Sequence, residues 1–484
     1  MHISSLNPQP TLPIATRWRR IKTPIPVPES IPAIERLRSI EPRSMTAMPP
    51  IVWCEAEGFC VRDPYGNQWI DLTSGIVMAN AGHGHPRIAE AIRRAVSAKL
   101  FASYAFPTDM RTRLLAMLVA LAPLEDAKAI VYCSGTEATE CAMALMRRHG
   151  RSISLKKLGI LSFADGYHGR TLSASLAGGR PAANDWIARE QVSHFQIPFP
   201  FCPQCPWGRD CYDACDESCF RECLNSLATQ GVEPEQIAGI IAEPVPGWAT
   251  WPMPRVFARA MQTWAAEHDI LITFDEVQCG CARTGRLFGF EHTDVVPDLI
   301  VLGKGLTSSL PVSALVGPAW LMDLPAPGEM SSTHGGNPVC AAAALANLEI
   351  LEEERLADRA AKTGAAVLER LRQLQHDWPQ YVRSIHGPGL FISIHLQVPG
   401  SREPHVELAD AIAAEAVRRG VLMFPTGRGY LKFVPPLCIE LDAALEAVDV
   451  IRESFEACVQ EIMVHASHLP QAIARVSHAP EGKL

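Results

Sequence analysis

The stretch ILITFDEVQCGCARTGRLFGFEHTDVVPDLIVLGK, residues 270–304, contains two short apolar runs, each followed by a polar residue. Ile270 to Phe274 and Leu299 to Leu302 are apolar and β-prone, so each reads as a buried parallel strand. Asp275 follows the first run, and Lys304 stands just beyond the second. The carboxyl ends of such strands are where open α/β sheets build ligand sites. An acid and a lysine placed there match the needs of pyridoxal phosphate chemistry. The amine can hold the cofactor aldehyde as a Schiff base, and a buried aspartate can keep a proton on the pyridine nitrogen so that the ring accepts electrons from a breaking bond. Acids and lysines are also ordinary surface residues, so the pair alone leaves that plainer reading open.

Further strand-like runs alternate with helical patterns on both sides of this stretch: Ala129 to Cys133, Ile160 to Phe163, Ile237 to Ala242 and Val312 to Val316. The alternation predicts a doubly wound α/β domain. Ile51 to Thr73 predicts a β-hairpin, with strand-like runs flanking the turn-forming DPYGN. After a long helical pattern from Pro338 through Glu354, the strand-like YVRSI and LFISIHL alternate with helices, which predicts a smaller α+β domain shared with that hairpin. The expected partition is a proline-rich N-terminal arm over 1–50, extended or partly disordered, then a small domain over 51–80 plus 341–462, a large domain over 81–340 and a tail over 463–484. In SGTEATE, Gly135 and Thr136 follow a strand and open a helix, where free amides and the helix dipole favour an anion such as a phosphate. The same residues also make a good structural helix cap.

With 484 residues, 48% hydrophobic content and a formal charge of -8, the chain is expected to bury a large core and to offer no nucleic-acid surface. It shows no long uninterrupted apolar segment and no signal-peptide pattern, so no membrane span and a cytoplasmic location are expected. The GK of LGKGL is not a nucleotide P-loop, because Asp298 and Gly305 occupy the places where that motif needs glycine and Ser or Thr.

Seven blocks in order carry a family resemblance: AGHGHPRIAEAI at 81–92, SGTEATECA at 134–142, GYHGRT at 166–171, EPVPG at 243–247, DEVQCGCARTG at 275–285, LGKGL at 302–306 and STHGGNPVCAAAAL at 332–345. Over roughly residues 50–460 the chain resembles the class III, or ω-amino acid, aminotransferases. The resemblance implies a PLP-dependent transferase of fold type I, with a large doubly wound α/β cofactor domain and a smaller α+β domain. It implies pyridoxal 5'-phosphate as cofactor and a homodimer with shared active sites. By resemblance, Lys304 and Asp275 are the catalytic pair, Gly135 and Thr136 bind phosphate, and Thr333 reaches the phosphate of the neighbouring subunit. Tyr167 would lie on one face of the cofactor beside His168, Val277 on the other, and Gln278 near the ring hydroxyl.

The implied reaction moves an amino group from an amino acid or amine, expected to be ω-amino, to a keto acid such as 2-oxoglutarate or pyruvate, with Lys304 as general base and acid. The alternative on the same fold is amino-acid racemisation or epimerisation, or a decarboxylating relative. Arg170 resembles a clamp for the donor's distal carboxylate, a role that suits a bidentate guanidinium. Before the PPL motif the family's arginine for the α-carboxylate is replaced by Lys432, and Glu243 resembles the switch carboxylate that pairs with that basic residue. Arg428 is a substitute clamp candidate, and the bulky Trp248 is expected to narrow the pocket or stack on an apolar substrate. Cys202, Cys205, Cys211, Cys215, Cys219 and Cys223 fall in one short insert, the last four at a spacing of four. That pattern leaves open a zinc or iron-sulfur site or a reduced cysteine-rich surface helix.

Overall fold

The computed structural model describes residues 4–45, 48–179, 193–208, 216–424 and 426–467. Near the N-terminus, β1 (Ile14–Ala15), β2 (Arg20–Ile21), β3 (Glu55–Glu57), β4 (Cys60–Arg62) and β5 (Gln68–Asp71) form an antiparallel sheet in the order β1-β2-β5-β4-β3. The expected hairpin is present as β4 and β5. Asp63 closes its turn by accepting hydrogen bonds from the amides of Tyr65 and Asn67 at 3.0 and 2.8 Å, the local acceptor role that favours Asp in turns.

The arm reading needs correction. Residues before 50 contribute β1, β2 and the helix Ile31–Ile40, and Ile21, Ile25 and Val27 are buried against Val61 and Trp69. Proline content kept these strands short. Their alternate apolar residues nevertheless bury a face against the hairpin, which an extended tail would leave in water.

The central sheet holds β6 (Ala127–Tyr132), β7 (Gly159–Phe163), β8 (His194–Ile197), β9 (Ile237–Ala242), β10 (Leu271–Asp275), β11 (Leu299–Leu302) and β12 (Ser313–Pro318), in the order β6-β12-β11-β10-β9-β7-β8. All neighbours pair in parallel except at β12, which is antiparallel to both β11 and β6. β7, β9, β10 and β11 are buried along their whole length, as strands covered by helices on both faces must be. A third sheet, in the order β13 (Val382–His386), β14 (Ile392–Leu396) and β16 (Tyr430–Phe433), is antiparallel. The short β15 (Val421–Leu422) joins the N-terminal sheet beside β5.

An apolar helix, Pro338–Glu353, packs on the helices Pro86–Ser97 and Asp109–Leu121. It crosses the expected domain boundary at 340 and sides with the larger part, because its buried alanines allow close helix-to-helix approach. The helix Leu441–Ser467 runs past the expected start of the C-terminal tail, and residues beyond 467 lie outside the described residues. No helix among the described residues is long and apolar enough to cross a membrane.

The folded arm makes a direct prediction. Ile21 is fully buried, so Ile21→Ala should cost about 2–5 kcal/mol of stability, read as a lower urea midpoint. An unattached arm would leave the midpoint unchanged.

Candidate active site

Five parallel strands of the central sheet point their carboxyl ends at one region, and each delivers a candidate residue there. β6 leads into Gly135, β7 into Tyr167 and His168, β9 into Glu243, β10 ends on Asp275, and β11 leads into Lys304. Sheet direction alone therefore gathers residues that are up to 169 positions apart, from Gly135 to Lys304.

Asp275 is buried, and its carboxylate is met by two donors. His168 Nδ1 lies 2.8 Å from Oδ2, and the amide of Val277 donates to Oδ1 at 3.0 Å. Burial works against charge on His168, but the hydrogen bond and charge of Asp275, aided by Glu243, leave its pKa raised. The His168 ring and the Val277 amide thus supply the buried carboxylate with fixed hydrogen-bond partners.

Lys304 opens a single turn of 3-10 helix and has φ of +42°, a left-handed conformation uncommon outside glycine. Its Nζ lies 5.6 Å from the centre of the Tyr167 ring. Burial pushes its pKa below that of an exposed lysine, against the opposing charges of Asp275 and Glu243. An amine with a lowered pKa is a better nucleophile and base near neutral pH.

Glu243 does not pair with Lys432. Its Oε2 accepts from the Tyr167 amide at 2.9 Å, and its Oε1 accepts from the Gly247 amide and Gln278 Nε2, both at 3.1 Å. Burial raises its pKa. Gln278 is thus committed to Glu243, a contact its expected place near the ring hydroxyl did not include. Lys432 is buried on β16 with its Nζ 5.8 Å from both the Phe391 and Phe424 rings, and it forms no ion pair among the described residues. Burial and the nearby charge of Lys304 lower its pKa to about 8, with Glu243 opposing. Phe391 and Phe424 were not singled out from sequence, because nothing local marks an apolar residue as lining a site.

At the other end, Ser134 and Glu137 form a capping box at the start of the helix Gly135–Ile153. The cap reading of this segment therefore holds: the box covers some first-turn donors at the amino end of a long helix. A Cβ on Gly135 would come 3.0 Å from Val277 Cγ1, so the bare backbone here allows the turn to sit against Val277. Thr136 Oγ1 bonds Thr171 Oγ1 at 2.9 Å, and a Cβ on Gly169 would fall 2.0 Å from that same Thr136 oxygen. Thr333 is exposed on the segment before the helix Pro338–Glu353.

The substrate-side candidates separate. Arg170 is exposed and its guanidinium stacks 4.8 Å from the centre of the Tyr167 ring. Arg428, read as a substitute clamp, instead pairs with Asp165, whose carbonyl and carboxylate both accept from Nη1 at 3.3 and 3.4 Å. Trp248 packs against Phe199 and Phe201, with ring centres 6.2 and 5.2 Å away, so its indole joins an aromatic cluster of the core instead of standing free in the pocket.

The cysteine insert gathers no metal-ligand cluster among the described residues. Cys219 and Cys223 are buried on the core-facing side of the helix Ser218–Thr229, and Cys202 is buried beside Phe201. Cys205 is partly buried, and Cys211 and Cys215 lie outside the described residues.

A half-buried lysine with a lowered pKa, a hydrogen-bonded carboxylate at the end of the neighbouring strand, an aromatic ring beside the lysine and a glycine-lined helix start fit pyridoxal 5'-phosphate. Fold and site together define a PLP-dependent transferase of fold type I. Residues 41–455 match the family model described as aminotransferase class-III. The chain is 32% identical over 412 residues to a probable 4-aminobutyrate aminotransferase of Bacillus subtilis, covering 83% of this chain and 92% of that protein. It is also 30% identical over 428 residues to a leucine/methionine racemase of Thermococcus litoralis, covering 87% and 94%. Among solved structures, an amine transaminase from an uncultivated Pseudomonas species, determined with PLP bound, superposes with a TM-score of 0.75 at 26% identity over 84% of this chain and 95% of that one. The chain belongs to the class-III aminotransferase family. It is a transferase that uses pyridoxal 5'-phosphate and carries out transamination.

Adding one methyl group at Gly169 should displace Thr136. Gly169→Ala is expected to weaken PLP binding about ten-fold or more, given its φ of +139° and the overlap with Thr136. Titration of apoprotein by cofactor absorbance reads this, and unchanged affinity would remove Thr136 from the phosphate site.

Proposed function

We propose that the enzyme transfers an amino group from a carboxylate-bearing donor, of the ω-amino type, to a keto acid such as 2-oxoglutarate or pyruvate. The observation that carries the reading is the presence of two cationic groups around one reactive lysine: Arg170 stacked on Tyr167 at the outer side and Lys432 buried on the inner side. When bound, the cofactor supplies an aldehyde for amine exchange and an electron-accepting ring. Lys304 Nζ would take the proton from the substrate carbon and deliver it to the carbon on the other side of the nitrogen. Asp275, with His168 behind it, would hold the proton on the ring nitrogen. Tyr167 and Val277 would bracket the ring and Gly135 and Thr136 would hold the phosphate, while Glu243 fixes the Tyr167 loop through its amide. Arg170 and Lys432 bind the substrate carboxylates, the first with a planar fork and the second as a point charge.

We also infer a homodimer with shared sites and a cytoplasmic location, with residues 51–80 and the chain beyond the helix Pro338–Glu353 forming the smaller domain. Support for the dimer is that Asn337, on the segment that carries the exposed Thr333, donates from Nδ2 to the Phe101 carbonyl at 2.7 Å, and that Phe101 and Phe106 are 57% and 75% exposed. Apolar side chains exposed together commonly mark an interface.

The test is a half-reaction screen of the holoenzyme in deuterated water with ω-amino acids, diamines, α-amino acids and simple amines. Stoichiometric conversion of the cofactor to pyridoxamine phosphate by an ω-amino acid is the expected result. Deuterium gain at the substrate α-carbon with the cofactor unchanged would overturn it in favour of the racemase reading, which similarity to the leucine/methionine racemase keeps in view.

A pH profile tests Lys432 separately. A lysine with pKa near 8 is charged below that value and neutral above it, so KM for carboxylate substrates should rise as pH passes upward through about 8. Lys432→Arg should remove that limb, because a guanidinium stays charged. A limb that persists in the arginine variant would assign it to another group.

A further inference from the structure

One face of the three-stranded sheet is polar although it is buried. In register, His386, Ser393 and Lys432 form one row across β13, β14 and β16, and Ser384, His395 and Tyr430 form the next. None of the six is more than 8% exposed. The His386 and His395 rings stack at 5.0 Å, and the His395 and Tyr430 rings at 5.1 Å, which places these side chains on the same face. Ile385, Ile392, Ile394, Leu431 and Phe433, out of phase with them, belong to the apolar core. Burying six polar side chains on a strand face requires hydrogen-bond partners.

For His386 and Ser393 the partners lie in the loop after β9, which also carries Glu243, whereas Ser384 Oγ and His386 Nδ1 have none among the described residues. His386 Nε2 is 2.7 Å from the Ala249 carbonyl, and since a carbonyl only accepts, the imidazole donates from Nε2. Burial lowers the His386 pKa to about 4, in keeping with this neutral form. Ser393 Oγ lies 2.7 Å from Thr250 Oγ1 and 3.0 Å from His395 Nε2, and Thr250 Oγ1 is within 3.2 Å of the His386 carbonyl.

Thr250 is held in an unusual state. It is fully buried with φ of +47°, a left-handed conformation that a β-branched residue adopts only under constraint. Its amide donates to Pro246 O at 2.7 Å, closing a turn whose Gly247 amide donates to Glu243 Oε1. A continuous series of contacts therefore runs from His386 and Ser393 through Thr250 and Gly247 to Glu243, and from there to Tyr167 and Gln278. The same row of the sheet ends on Lys432.

We propose that His386 and Ser393 are positioning residues: they pin the strained turn at Thr250 and thereby fix Glu243 with respect to Lys432, so that the site accepts a substrate carboxylate. The proposal rests on the reading of Lys432 as a carboxylate-binding group. It concerns the recognition of substrate and leaves the proton transfer at Lys304 to the residues already described.

The experiment compares holoenzyme variants His386→Phe, His386→Gln, Ser393→Ala and Lys432→Ala. Steady-state kinetics with a carboxylate donor and with a simple amine lacking a carboxylate are measured at a concentration of active sites counted by cofactor absorbance. His386→Phe, which deletes the donor to Ala249 O, should raise KM for the carboxylate donor about ten-fold, with kcat and the amine's KM changed by less than about three-fold. His386→Gln, whose terminal amide can replace Nε2, should bring KM back to within about two-fold of the parent. Ser393→Ala should act in the same direction as His386→Phe and supplies the test should that variant fail to fold. A rise in KM for both donors alike, or no rescue by glutamine, would overturn the positioning role. If Lys432→Ala raises the carboxylate KM and neither His386→Phe nor Ser393→Ala does, the proposal fails while Lys432 keeps its role. If Lys432→Ala leaves that KM unchanged, the reading of Lys432 fails and the proposal that rests on it fails with it.

Discussion

Asp275 ends a fully buried strand and is itself only 2% exposed, and an ion in that place must be met by fixed donors or the strand end would be strongly destabilised. His168 and the Val277 amide meet it. The rest of the site follows from that one hydrogen-bonded pair. Holding His168 against Asp275 fixes the loop after β7, whose Tyr167 amide then reaches Glu243 after β9. The His168 carbonyl in turn accepts from Thr139 Oγ1 at 2.7 Å, which sets the helix Gly135–Ile153 and its first turn in register with the same loop. Four strand ends are tied together through two neighbouring residues of one loop.

The electrostatics of the site are unbalanced by design of its surroundings. Glu243 accepts from three donors, two of them backbone amides, and Lys432 has no carboxylate partner among the described residues. Lys432 lies over two phenylalanine rings instead, its charge weakened by burial and by Lys304. A buried cation with no counter-ion is costly until an anion arrives. Under the proposed function a substrate carboxylate would relieve that cost, without a rigid guanidinium fork.

Much of the central sheet was legible because fully buried parallel strands are continuous apolar runs: β7, β9, β10 and β11 fall where the runs fall. β8, HFQI, is only partly buried at three of its four positions and carries no such signal. β1 and β2 are two residues each and exist through pairing with the distant β5, so no local pattern announces them. The site divides in the same way. Asp275 and Lys304 could be read from strand ends, and the motif resemblance supplied Tyr167, Val277 and Thr333. The Arg428–Asp165 pair spans 263 positions, and the strained φ values of Lys304 and Thr250 depend on packing from other segments, so none of these was accessible to a reading of neighbours along the chain. Trp248 looked exceptional in its motif, but Phe199 and Phe201, remote from it in sequence, turn the indole into core.

The central claim is that Lys304, at the end of β11, is the amine that carries the cofactor. Borohydride reduction of the holoenzyme followed by proteolysis and mass spectrometry tests it most directly, because the chain offers a second buried lysine, Lys432, with a lowered pKa in the same site. The account predicts one reduced cofactor adduct, on the peptide containing Lys304, which disappears together with turnover in Lys304→Ala. An adduct on Lys432 in the parent enzyme, or full turnover by Lys304→Ala, would contradict it.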